Sequence, residues 1–214
     1  MLGTGIVGVT LGAALVERGH DVRMGSRSAD NPAAAEWSRE HGGRASAGTF
    51  ADAAAFGDVV VNCVSGAGAV AAVSSATQEL AGKVLVDVSN PLEFPPGGPP
   101  TLFVGVTDSL GERIQRAVPD ARVVKALNTV NCDVMVEPGR LAGDHVVFVC
   151  GDDPEAKSRT RTLLGELGWP AERVHDIGDI AGARATEGYL LLWLRLMGVV
   201  GGPDFNISVA RPSA

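Results

Sequence analysis

Gly3-Thr4-Gly5-Ile6-Val7-Gly8 spells G-x-G-x-x-G and runs straight into an apolar helical pattern. Residues of these types at this spacing can hold a diphosphate. The first glycine permits a tight turn, the second admits the phosphates to the backbone, and the third lets the helix pack close to a sheet. Uncapped N–H groups and the helix dipole then face the anion. Glycine makes up 28 of the 214 residues, so the motif needs support from its context. Ser26, 18 residues beyond Gly8, opens the run Ser26-Arg27-Ser28, at the point where an NAD enzyme places a carboxylate against the adenosine ribose. A carboxylate there would repel a 2′-phosphate, whereas Arg27 pairs with it and two hydroxyls donate to it. Charged hydrogen bonds of about 1.5–3 kcal/mol correspond to a roughly ten- to hundredfold preference for NADP. The plainer alternative is a polar turn carrying a solvated arginine.

Val64-Ser65-Gly66, Ser89-Asn90-Pro91 and Asn128-Thr129 each follow a predicted strand, so their polar groups should converge on the ribose, pyrophosphate and nicotinamide of the same cofactor. Taken singly, each also reads as a helix cap or a turn. Lys125 lies inside a strand, as an edge charge or a cleft cation. The four histidines lack metal spacing, and neither a Ser-His-Asp order nor a G-x-S-x-G elbow is present.

The elements that must position these groups follow an alternating pattern. A helix is predicted over 6–18 and a strand over 21–25. Only Met1 and Leu2 precede Gly3, where the motif calls for an apolar first strand. Three or four missing buried side chains, at roughly 1.5–3 kcal/mol each, amount to about 5–12 kcal/mol, comparable to the stability of a whole domain. The first strand therefore reads as truncated, and several further residues are expected upstream of Met1. Asn31-Pro32 opens a helix through Glu40, and Thr49 with Asp52 starts a short one. Continuous apolar strands at 58–64 and 83–88 flank a helix over 67–80. A proline loop occupies 93–100, a helix capped by Asp108 or Ser109 runs over 108–118, and a strand covers 122–127. Strands at 145–150 and 174–177 enclose a helix ending near Leu167, and a last helix runs from about 180 to 200. This is an α/β fold: a doubly wound, mostly parallel Rossmann-type sheet, with 1–214 as one NADP-binding domain and 178–214 as its C-terminal helical extension.

Residues 189–197 are apolar nearly all round and too few to span a bilayer, so the helix is expected to pack on the sheet and against a second copy in a homodimer. Arg184 and Glu187, spaced i, i+3, are expected to pair. A net charge of −7 and a pI near 5.1 exclude nonspecific nucleic-acid binding, which needs a basic face. Cys63, Cys132 and Cys150 are odd in number and far apart, which fits neither a disulfide framework nor a C-x-x-C site. With no signal-peptide pattern and no membrane segment, a cytoplasmic location is expected.

The chain resembles the NADPH-dependent coenzyme factor-420 reductases, the nicotinamide–deazaflavin oxidoreductases, which in turn resemble the reductase domain of six-transmembrane metalloreductases. The resemblance rests on GTGIVG at 3–8, GSRS at 25–28, DVSNP at 87–91, the stretch 108–129, VFVCGDD at 147–153 and the tail 178–198. It implies hydride transfer between NADP(H) and a deazaflavin, or a related flavin acceptor, stacked on the nicotinamide. Both carriers supply the chemistry, so the protein needs little acid–base machinery of its own. It further implies that Gly3, Thr4, Gly5, Val7 and Gly8 surround the pyrophosphate and Ser26, Arg27 and Ser28 the 2′-phosphate. Asn90, Pro91, Asn128 and Thr129 would line the nicotinamide side, and the acceptor pocket would lie near Asn131, Cys132 and the proline loop. The alternative is a non-catalytic NADP-binding module that senses redox state or docks a partner.

Overall fold

The computed structural model describes residues 1–212. In chain order the elements are α1 (Ile6–Glu17), β1 (Val22–Ser26), α2 (Pro32–His41), β2 (Ala45–Thr49), α3 (Phe50–Phe56) and β3 (Val59–Asn62). Then come α4 (Gly66–Ser74), α5 (Thr77–Leu80), β4 (Val84–Asp87), the small strands β5 (Leu92–Glu93) and β6 (Thr101–Leu102), α6 (Leu110–Ala117) and β7 (Arg122–Ala126). The chain closes with α7 (Cys132–Val136), β8 (Val147–Cys150), α8 (Pro154–Glu166), β9 (Val174–Asp176) and α9 (Ala183–Val200).

Strands β3-β4-β7-β8-β9 form one run and β1-β2 another. Leu2 joins them. Its N–H donates to Val61 O at 2.8 Å and its carbonyl accepts from Cys63 N at 2.8 Å, while Met1 O accepts from Gly25 N at 2.8 Å. Met1 and Leu2 thus occupy the slot between β1 and β3 where the motif's first strand belongs, as a bridge on both sides. All pairs are parallel except β7–β8 and the β5–β6 hairpin.

Register explains why the central strands are apolar up to their carboxyl ends, where Asn62, Asp87 and Lys125 stand. Val60, Leu85 and Val123 lie side by side and enter one core with Leu80, Leu110 and Ile114. Their neighbours Val61, Val86 and Val124 point to the opposite face and pack with Leu11, Met24, Trp37 and Leu164. Side chains alternate across a strand, so a sheet covered on both faces takes apolar residues at successive positions rather than at alternate ones.

Four local differences from the sequence reading have physical causes. β2 was not predicted because Ala45-Ser46-Ala47-Gly48-Thr49 lacks β propensity until its last residue, and only pairing with β1 makes it a strand. The helix expected over 67–80 breaks at Ser75-Ala76 into α4 and α5, where Ser75 Oγ donates to Ala72 O. The proline loop carries the β5–β6 pairing, and the last helix opens with a 3₁₀ turn at Ile180–Gly182. No helix among the described residues is long and apolar enough to cross a membrane.

Candidate dinucleotide site

The carboxyl ends of β1, the Leu2 bridge and β3 open onto a cleft of about 760 Å³. Gly3, Thr4 and Gly5 line it in the middle, Ser26, Arg27, Asn31 and Thr49 at one end, and Val64, Ser65 and the α4 residues Gly68, Ala71 and Ala72 at the other. Gly3 has φ of +109°, a backbone conformation reserved in practice for glycine. A Cβ on Gly8 would sit 2.1 Å from Gly3 O, so helix and turn touch only because Gly8 has no side chain. Around a Cβ on Gly5, by contrast, no atom lies within 4 Å. That open space, at an α1 N-terminus with no side-chain cap, suits a diphosphate.

At the β1 end, Arg27 is exposed and makes no hydrogen bond or ion pair among the described residues. Ser26 is buried and its hydroxyl donates to Ser28 O at 2.5 Å, while Ser28 Oγ donates to Asp30. The two serines therefore shape the turn that presents Arg27, and of the two only Ser26 lines the cleft. Asn31 caps α2 by accepting from Ala34 N, and Thr49 caps α3 through a capping box with Asp52. Thr49 reaches the cleft because β2 pairs in parallel with β1, with Thr49 opposite Ser26, and Asn31 because it lies in the connection that leaves the end of β1. Sequence reading missed Asn31, Thr49 and Gly68 as cleft residues. The capping signals of Asn31 and Thr49 were legible, but without β2 nothing placed Thr49 on the ligand edge. Cys63 also lines the cleft, with its thiol pushed up to about 12 by burial.

Beyond Ser65 the strand-end loops are tied together. Asn90 Nδ2 donates to Asn128 O at 2.8 Å and Asn128 Nδ2 donates to Asn90 Oδ1 at 2.9 Å. Asn90 O packs so tightly on Gly66 that a Cβ there would lie 2.0 Å away. Pro91 and Thr129 are buried beside them. The structure thus brings Asn90, Pro91, Asn128 and Thr129 to one edge next to the N-terminus of α4, outside the lining of the main cleft.

Asn131 and Cys132 follow Thr129 closely in the chain, at the start of α7. Asn131 accepts from Cys132 N at 2.9 Å as the cap of α7 and donates to Asp204 Oδ1 at 3.2 Å. The Cys132 thiol is held up by burial and faces the region of Thr10 on α1. Val7 is likewise turned toward the core of that face.

Beneath the edge lies an ionic network that the sequence did not disclose. Lys125 is neither an edge charge nor a cleft cation: its side chain is fully buried, with Nζ 2.8 Å from Asp87 Oδ2 and 2.8 Å from Glu187 Oε1, and it donates to Ser89 O at 2.5 Å. Burial disfavours its charge, but the two carboxylates outweigh this and raise the ammonium above the ordinary lysine value. Glu187 is therefore not paired with Arg184, which instead donates to Glu112 from Nε at 2.8 Å. Glu187 turns inward and also accepts from Leu110 N and Gly111 N, at 2.8 and 3.0 Å.

Comparison with known proteins agrees with this geometry. The family described as "NADP oxidoreductase coenzyme F420-dependent" matches residues 1–91, which include the glycine turn, Arg27 and the Asn90-Pro91 edge. A crystal structure from Arthrobacter sp. FB24, provisionally named an F420-dependent NADP reductase, is 47% identical with a TM-score of 0.91, covering 98% of this chain and 97% of that one. The F420-dependent NADP reductase of Methanocaldococcus jannaschii is 30% identical over 137 residues, 64% of this chain. The Rattus norvegicus metalloreductase STEAP3 is 33% identical over 113 residues, 53% of this chain. The matched stretches span 60% and 21% of the lengths of these two relatives. With the fold, the glycine turn and near end-to-end similarity to the Arthrobacter structure in place, the chain belongs to the family of coenzyme F420-dependent NADP oxidoreductases.

Proposed function

We propose that this protein transfers a hydride between NADP(H) and a deazaflavin of the F420 type. The observation that carries the NADP half is the cleft itself, which is open around Gly5 and holds, at Arg27, a guanidinium with no partner among the described residues where a 2′-phosphate would lie. The deazaflavin half rests on the family. The nicotinamide gives up a hydride with its electron pair, and the acceptor ring takes up that hydride and a proton from water, so that NADP⁺ and the reduced ring result. The chain's own work is to hold the two rings at reacting distance and in register. Gly3, Thr4, Gly5 and Gly8 seat the pyrophosphate, Arg27 selects the phosphorylated ribose, and the Asn90–Asn128 pair faces the nicotinamide.

In this reading the exposed apolar residues of α9, Leu191, Leu192, Val199 and Val200, are covered by a second copy. Light scattering should give a dimer mass for the native protein and a monomer mass for Leu192→Asp. The three cysteines are free thiols, which suits the cytoplasm.

Mixing the protein with NADPH and oxidised deazaflavin tests the reaction directly. The expected result is loss of the oxidised ring's absorbance at a rate proportional to protein. Tight NADPH binding without turnover would overturn it in favour of a redox-sensing module.

A further inference from the structure

Asp87 ties together two of the strand-end loops expected to converge on the cofactor, Val64-Ser65 and Ser89-Asn90-Pro91. Its Oδ1 accepts from Asn62 Nδ2 at 2.8 Å, from Ser89 N at 3.1 Å and from Ser89 Oγ at 2.7 Å. Asn62 in turn accepts from Val64 N through its own Oδ1 at 3.3 Å, which fixes the start of the Val64-Ser65 loop. Asp87 Oδ2 takes Lys125, whose ammonium also holds Ser89 O. All polar groups of Ser89 are thereby pinned from below, and Asn90 and Pro91 follow immediately. Asn62, Asp87, Lys125, Ser89 and Glu187 are each no more than 5% exposed, so water competes little for these bonds.

The charges do not cancel within the cluster. Two carboxylates share one ammonium, and the surplus negative charge of Glu187 is met by Leu110 N and Gly111 N at the N-terminus of α6. The three ammonium protons of Lys125 each have an acceptor, and Asp87 accepts four bonds in all. A fold seeking stability alone would gain as much from apolar side chains here, because desolvation offsets most of the Coulombic attraction in a buried pair. What apolar residues could not do is bind the polar backbone of two loops at once.

We infer that Asp87 is a positioning residue for hydride transfer. Held by Lys125 and, through it, by Glu187 on α9, it sets the Val64-Ser65 and Ser89-Asn90-Pro91 loops so that the nicotinamide ring is presented in one orientation. The inference rests on the NADP reading above and adds that the nicotinamide end and the adenosine end of the cleft are separately determined. An asparagine in place of Asp87 would keep the shape but bring an NH₂ group against either Lys125 or the donors from Ser89 and Asn62. Either a direct contact to Ser89 and Asn62 or the bond that steadies Lys125 beneath Ser89 O is then lost.

The test compares two ligands on the folded protein: NADPH, and 2′-phospho-ADP-ribose, which lacks the nicotinamide. For Asp87→Asn, fragment affinity should stay within twofold of the native value. The advantage of NADPH over the fragment should fall, and single-turnover transfer from bound NADPH to deazaflavin should slow at least tenfold. Ser89→Ala removes one of the three bonds to Oδ1 without changing charge, and should show the same pattern at smaller amplitude; it decides the matter if Asp87→Asn does not fold. Equal weakening of both ligands, or an unchanged transfer rate per bound NADPH in the folded variants, would overturn the positioning role. Native protein that binds neither ligand would remove the NADP reading itself.

Discussion

Arg27 is the one charged residue among those described as lining the cleft and has no partner among the described residues, which makes it the informative residue to change. Removing a charged hydrogen bond to a 2′-phosphate costs about 1.5–3 kcal/mol, so Arg27→Ala should weaken NADPH by roughly ten- to hundredfold and leave NADH nearly unchanged in a fluorescence titration. Equal losses for the two would remove the 2′-phosphate assignment. The glycines separate in the same way. Gly5→Ala meets no protein atom within 4 Å, so its melting temperature should match the native protein while its added methyl, in the cleft, lowers NADPH affinity by about tenfold. Gly8→Ala drives a methyl to 2.1 Å from Gly3 O, next to a turn whose φ of +109° leaves it no room to relax. It should lose about 1–3 kcal/mol or more, seen as a melting temperature lower by several degrees. These roles were legible in the sequence because a glycine motif and a basic turn act locally. The partners of Lys125 were not, since Asp87 and Glu187 lie 38 and 62 residues away and nothing in the local pattern of a buried strand names them.

At the scale of elements, the N-terminus of α6 gathers three acidic groups, Asp108, Glu112 and Glu187, that tie α6 to itself and to α9. Ser109 caps it by accepting from Glu112 N, Glu112 is bound by Arg184, Glu187 reaches its first N–H groups, and Asp108 accepts from Arg113 and Arg116 at 2.9 Å. Burial of Asp108 works against its charge, yet the two arginines outweigh this and hold the carboxyl at about 2 against an ordinary 3.8. A carboxyl depressed in the folded state adds stability that is full above its unfolded pKa and is lost as pH falls toward the folded one. Asp108→Asn should therefore be less stable than the native protein by about 1–2 kcal/mol at pH 6, after allowing for the partly exposed arginines, with the gap closing between pH 4 and 2. Urea midpoints at pH 6 and pH 3 measure this, and a gap constant with pH would exclude the ion pairs as its source. The alternating strands and helices and the capping residues could be read in advance. β2 could not, because its five small residues become a strand only by lying against β1.

For the whole molecule, the sheet edge orders the site. From β1 through Leu2, β3 and β4 to β7 are four steps of roughly 4.8 Å, and the groups above them run in the same sequence: Arg27, the glycine turn, Ser65, Asn90, Asn128. A dinucleotide laid along that edge touches both halves of the sheet. Between those halves the backbone connection is narrow, since among the described residues β1 and β3 are joined only through the bonds of Met1, Leu2 and Gly3. Side chains add to it, with Met24 and Trp37 packed in the same core as Leu11 and Val61. NADPH should accordingly protect the β1–β2 amides from hydrogen exchange more than those of β7–β8, where the backbone pairing does not depend on Leu2. At a free concentration of 100 times its Kd, binding stabilises the native state by about 2.7 kcal/mol, which sets the ceiling on the global effect. Local opening of the β1–β2 half should shift toward that ceiling with NADPH and stay near its unliganded rate with NADH. Uniform protection of both halves would mean that the ligand reports only on global unfolding and that the Leu2 junction is no weaker than the rest of the sheet.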